Sequence, residues 1–291
     1  MILKQKKCQK CGYEFDELSK ECPNCKSKND IENIKGFKNC KALFVSPFHQ
    51  LIIFLFGWLG FQLIGGLIQL IIIQVNKNKF ETYEELVEYM QTPKINGLLT
   101  YSTYIILFAG LILILIPFLK QILNEFKSIK KVFIGVGAGF VILFLSFLYG
   151  LLSGLIYPNL PANENQKILE SMIPLFPVSS IIILGLIGPI CEEITYRLGL
   201  FSLLRRKNKY LAYTITIIVF TLIHFGWNCL FPFDKAKFII ELINLPSYLL
   251  GAFCLSFIYE KFGFAISFYA HATNNLFSVI MILIEKAISN G

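Results

Sequence analysis

Charged side chains are scarce in this 291-residue sequence: 16% of positions are Asp, Glu, Lys or Arg, against about 25% in soluble domains. The shortage is uneven. Leu51 to Val75 holds no charge at all, and about 20 apolar residues in a row suffice to cross a bilayer core. That distribution excludes a wholly soluble protein. Histidine is scarcer still, with three in the chain, so each one inside an apolar run needs a reason. The opening residues MILKQKKCQK lack the apolar core of a signal peptide, and the N-terminus is expected to stay in the cytosol. There is no internal repeat and no low-complexity tract.

What is present is apolar: 55% of residues are hydrophobic and the mean hydropathy is +0.61. The expected fold is all-α, a polytopic membrane helical bundle with a small N-terminal head. About seven spans are expected, near 50–75, 98–119, 132–157, 173–203, 210–232, 238–259 and 262–284. The sixth is interrupted by Lys237, Glu241, Asn244 and Pro246 and could be part loop, which leaves the count around 236–262 open. Only Glu260 and Lys261 separate the last two spans, so they need a tight hairpin. Residues 80–91 read as a short surface helix. A polar linker, 31–48, joins the head, 1–30, to N-terminal membrane helices over 49–165 and a membrane core over 166–287.

The net charge of +8 does not point to nucleic acid, because its position follows the membrane. Lysines fill the head and linker. Lys120, Lys127, Lys130 and Lys131 mark one loop, and Arg205, Arg206, Lys207 and Lys209 another. The alternate loops are balanced or acidic, with Glu81, Glu84, Glu85 and Glu88 in the first. The positive-inside rule then predicts a plasma-membrane protein with a cytoplasmic N-terminus and a C-terminus outside.

Four of the eight cysteines form two CxxC knuckles, Cys8 with Cys11 and Cys22 with Cys25. Four thiolates suit a closed, tetrahedral structural Zn²⁺ site. A head with so few apolar residues would take most of its folding energy from the metal. Two disulfides or a redox pair are the alternatives, disfavoured in a reducing cytosol. The pattern resembles a zinc ribbon, which could bind a partner protein or only stabilise the terminus. Cys40, Cys191, Cys229 and Cys254 are scattered, three of them in apolar runs where a thiol acts as a small hydrophobe.

Ionisable groups inside spans are costly and mark functional sites by default. The fourth span contains Glu192, Glu193 and Arg197. Glu193 and Arg197 share a helical face, while Glu192 points about 100° away. Arginine could pair one glutamate and leave the other for chemistry. A structural ion pair would explain Glu193 and Arg197 but not Glu192. Pro189, one turn upstream, could kink the helix. His224 and His271 fall in the fifth and seventh spans, and the pairs Phe220/His224 and His271/Asn275 each share a face. Counted from the cationic span ends, Glu192, His224 and His271 lie roughly 20, 22 and 15 Å deep. They could meet in one hydrated layer. A carboxylate and an imidazole there could activate water, with a second imidazole and an amide holding an oxyanion. Two histidines and a carboxylate are also the ligand count of a catalytic zinc; the residues leave both routes open.

Glu192-Glu193-x-x-x-Arg197, Phe220-x-x-x-His224 and His271-x-x-x-Asn275, in this order on late spans, resemble the CPBP family of CAAX proteases and bacteriocin-processing (Abi) enzymes over about 170–285. The resemblance implies that Glu192 and His224 activate the attacking water and that His271 and Asn275 line the oxyanion site. Glu193, Arg197 and Phe220 would support them. It also implies an endopeptidase acting on a membrane-associated or prenylated protein or peptide, by a glutamate-type or a metal-dependent mechanism. One departure is Leu198, directly after Arg197 where glycine is common; Gly199 follows. The competing readings are a non-catalytic scaffold recruiting partners through the zinc head, and a proton-coupled transporter. The second lacks the repeat-related broken helices usual in carriers.

Overall fold

The computed structural model describes residues 5–8, 13–16, 19, 21–25 and 45–289. Cys11 and linker residues 31–44 lie outside the described residues. In the head, β1 (Gln5–Lys7) and β2 (Glu14–Asp16) pair antiparallel, with Lys6 opposite Phe15. Phe15, Cys8 and Cys22 are buried together.

The body is helical. Six helices among the described residues are long and apolar enough to span a bilayer. They are α1 (Pro47–Asn76), α3 (Pro93–Leu115) continued by α4 (Leu119–Glu125), α5 (Ile129–Ile156), α7 (Pro177–Arg205), α9 (Lys235–Phe262) and α10 (Phe264–Ser289). The shorter apolar helix α8 (Lys209–Leu222) stands between α7 and α9. Leu63, Leu67, Leu70, Phe140, Phe144 and Phe147 are among the large apolar side chains left exposed, a surface that suits lipid. The chain is an integral membrane protein.

Local chemistry sets the ends. Ser46 caps α1, accepting from His49 N at 3.3 Å, with Pro47 in the first turn. The expected surface helix is α2 (Tyr83–Met90), started by a Thr82/Glu85 capping box. A further helix, α6 (Glu164–Met172), was not foreseen. Asn163 caps it by accepting from Gln166 N at 3.0 Å, and Ile168, Leu169 and Met172 form its apolar side. The sixth span, left open as part loop from the sequence, is the continuous α9 with Pro246 inside. Tyr149 and Ser247 donate to the carbonyls of Ile243 and Asn244 beside that proline. The fifth span was expected over 210–232, but its helix ends at Leu222, and His224 lies in the turn beyond it.

Small residues bring the helices together. Gly135 and Gly139 of α5 lie against α10; a Cβ on Gly139 would stand 2.7 Å from the Ala270 carbonyl. Gly57 of α1 faces Thr195 of α7 just as closely. Such contacts replace the hydrophobic drive that helices lack in lipid. At one face of the bundle, Glu260 accepts from Arg205 Nε at 2.7 Å and from the Tyr213 hydroxyl at 2.8 Å. Arg206 there donates to Gln50 and to the Val45 carbonyl. The cationic end of α7 is thereby tied to the start of α1 and the end of α9.

Candidate active site

The site is built on α7, which is not a regular α-helix. Ile183–Ile187 and Glu193–Phe201 are π-helical, a form frequent at functional sites. Gly188 N–H reaches back five residues to the Ile183 carbonyl. The next donor in that register would be Pro189, which has no N–H. Leu184 O would go unpaired, and Asn275 of α10 fills the gap, donating Nδ2 at 3.2 Å. Pro189 thus opens an acceptor that ties the two helices carrying the motif residues.

Glu193 and Arg197 are fully buried. Glu193 accepts from His271 Nδ1 at 3.0 Å and from Ser267 Oγ at 2.5 Å. Arg197 Nε stands 3.5 Å from Glu193 Oε1, an ionic contact. Its guanidinium has no hydrogen-bond partner among the described residues and lies 4.4 Å from the centre of the Phe220 ring, a cation–π contact. Phe220 in turn packs beside His224 at 5.0 Å and His271 at 6.1 Å between ring centres.

Glu192 is not left free. Tyr104 of α3 donates its hydroxyl to Glu192 Oε1 at 3.0 Å. The other oxygen is 3.6 Å from His271 Nε2, too long for a direct hydrogen bond. The two glutamates therefore meet the two nitrogens of one imidazole, where the sequence suggested separate partners. Glu192, His224, His271 and Asn275 all line one cavity of about 620 Å³, together with Tyr104, Tyr196, Phe220 and Tyr248. That size suits a small ligand or a short peptide segment. Residues of α6 close one side of it.

His224 is held by the last turn of its own helix and from outside it. Its Nδ1 contacts the Phe220 carbonyl at 2.9 Å, and its ring stacks on Tyr248 with centres 4.8 Å apart. Leu198, the departure after Arg197, packs in the core, while Gly199 lies against the α1 backbone. Sequence reasoning missed Tyr104 and Tyr248, which carry no motif. Ser267 was missed as well, although its place four residues before His271 on the same face was a signal that could have found it.

One group of three or more His, Cys, Asp or Glu among the described residues has its donor atoms within 4.8 Å of one another: Cys8, Cys22 and Cys25. Three clustered thiols fit a metal ion in donor chemistry and spacing. Glu192, His224 and His271 do not form such a set, and their donor atoms do not fit one metal ion as they stand.

Residues 174–277 match the family model described as type II CAAX prenyl endopeptidase Rce1-like. Two curated relatives are UPF0177 protein YvdC of Lactococcus lactis, 28% identical over 150 residues, and an uncharacterized protein of Mycoplasma capricolum, 26% identical over 176. These alignments cover 51% and 56% of this chain, and 52% and 48% of the relatives; the chain spans about half the length of each. No solved structure matches it. The matched segment runs from just before α7 into α10 and contains every motif residue from Glu192 to Asn275, so the likeness to type II CAAX prenyl endopeptidases of the Rce1-like kind falls on the helices that build the cavity.

Proposed function

We propose that the chain is an intramembrane endopeptidase that cleaves a membrane-associated or prenylated protein or peptide with water activated by Glu192 and His224. The observation that carries this reading is the placement of His271: Nδ1 bonded to Glu193, Nε2 3.6 Å from Glu192, in a cavity that His224 also lines. A water between Glu192 and His224 attacks the scissile carbonyl carbon as Glu192 takes its proton. The carbonyl electron pair moves to oxygen. A proton on His271 Nε2 and the second Nδ2–H of Asn275 face that oxyanion. The C–N bond then breaks as the proton passes to the leaving nitrogen, releasing an acid and an amine. Glu193, Arg197 and Phe220 hold His271 and His224 in place.

In the same reading, residues 166–287 form the catalytic core on the helices of 49–165. The head holds structural Zn²⁺ through Cys8, Cys22 and Cys25 with Cys11 as fourth ligand. The cationic bundle face lies in the cytoplasm, which puts the N-terminus inside and, after seven passes, the C-terminus outside.

Terminal-peptide proteomics on membranes from cells expressing wild type or Glu192→Gln, matched for abundance, tests the proposal. New peptide ends found only with wild type are expected and would name the substrate. Identical profiles from two folded proteins would overturn it.

A further inference from the structure

The turn that carries His224 is shaped less by its own helix than by α9. Helix α8 stops at Leu222, and His224 N–H reaches only to the Thr221 carbonyl, at 3.1 Å. Trp227 N–H then closes on the Phe225 carbonyl at 3.0 Å across Gly226, whose φ of −76° and ψ of 81° describe an inverse γ-turn. Two α9 side chains seize this irregular stretch. Glu241, 4% exposed, accepts from Gly226 N at 2.9 Å with one oxygen and from Glu164 N, at the start of α6, at 2.8 Å with the other. A Cβ on Gly226 would stand 2.7 Å from the Glu241 carboxylate, so the approach needs a glycine. Two turns along α9, the Tyr248 ring lies nearly parallel to His224, 22° between planes. Its hydroxyl accepts from Asn163 and Asn165 at 3.1 and 3.2 Å.

A buried carboxylate whose acceptors go to backbone N–H groups is costly to keep in an apolar span, and neither Glu241 nor Tyr248 belongs to the three motifs. Resting on the catalytic reading above, we propose that Glu241 and Tyr248 are positioning residues for His224: the carboxylate fixes the backbone of its turn, and the phenol fixes the plane of its ring.

The test uses the full chain in lipid nanodiscs with ¹³C-labelled histidine. Three histidines give three signals, assigned through His49→Gln and His271→Gln. A stacked aromatic ring shields the His224 carbons. Tyr248→Leu or, should that variant not fold, Tyr248→Met is expected to move the His224 signal downfield and leave His49 in place. Tyr248→Phe should retain the wild-type position, and Glu241→Gln should split or broaden the His224 signal. Wild-type-dependent peptide ends should fall at least tenfold in Tyr248→Leu or Tyr248→Met and in Glu241→Gln, and only partly in Tyr248→Phe. An unmoved His224 signal in the leucine or methionine variant overturns the stack. Full cleavage there and in Glu241→Gln, when Glu192→Gln is inactive, overturns the positioning role alone. Should Glu192→Gln itself cleave like wild type, the proteolytic reading fails while the His224 signals still decide the positioning.

Discussion

The Tyr104 hydroxyl donates to Glu192 Oε1 at 3.0 Å, joining a helix outside the family-matched segment to the carboxylate at its centre. A hydrogen bond to a charged group contributes roughly 1.5–3 kcal/mol. Tyr104→Phe keeps the ring and removes that bond, so the carboxylate loses its fixed orientation. We expect cleavage to slow by about tenfold to a hundredfold, with unchanged protein abundance. The rate at which wild-type-dependent peptide ends appear in matched membranes measures this. An unaltered rate would mean that Tyr104 only fills space.

The second prediction concerns Arg197. Its guanidinium is fully buried between Glu193 and the Phe220 ring. Removing one member of a buried ion pair leaves the other uncompensated and costs about 3–5 kcal/mol. Arg197→Ala should therefore lower the thermal unfolding temperature in detergent and abolish cleavage together. Arg197→Lys should recover little of either, because an ammonium lacks the planar face that lies over Phe220. A stable, inactive Arg197→Ala would contradict this and place Arg197 in catalysis rather than in the scaffold.

Much of this was legible in the sequence for a physical reason. Uninterrupted apolar runs such as Leu51 to Val75 have one solution in lipid, so the spans could be read from hydropathy. Glu192, Glu193, His224 and His271 stood out because ionisable groups are rare in such runs. What could not be read depends on contacts between helices. The stop of α8 at Leu222 follows no breaker in the sequence; Gly226 comes four residues later. Tyr104 and Tyr248 resemble any membrane tyrosine until α3 and α9 bring them to the cavity. Glu241 was visible as a charge that interrupts a span, but its use, holding Gly226 and the start of α6, depends on two loops far away in sequence.

The α5–α10 seam yields a third prediction. A Cβ on Gly139 would meet the Ala270 carbonyl at 2.7 Å and Thr273 Cβ at 2.6 Å, both on the helix that carries His271 and Asn275. Backbone cannot step aside as a flexible side chain can, and overpacking typically costs about 1–3 kcal/mol. Gly139→Leu should destabilise the bundle and reduce cleavage, whereas Gly137→Leu, where a Cβ meets nothing within 4 Å, should do neither. Unfolding temperatures of the two variants in detergent decide the matter; equal values would mean that α5 does not hold α10 in register.

The head gives the last prediction, because its chemistry is separable from that of the cavity. Cys8 and Cys25 sulfurs are 3.6 Å apart, and Cys22 completes a cluster within 4.8 Å. That spacing suits thiolates sharing one ion, each about 2.3 Å from zinc. Among the described residues of the head, two strands of three residues and one buried phenylalanine bury little apolar surface, so metal binding is expected to supply much of its folding free energy. Elemental analysis of the purified full chain is expected to find one zinc, and Cys22→Ser should lose it. The head should then become sensitive to added protease, while the membrane helices keep their unfolding temperature. Zinc retained in Cys22→Ser but lost in His271→Gln would reverse the assignment and move the metal to the cavity.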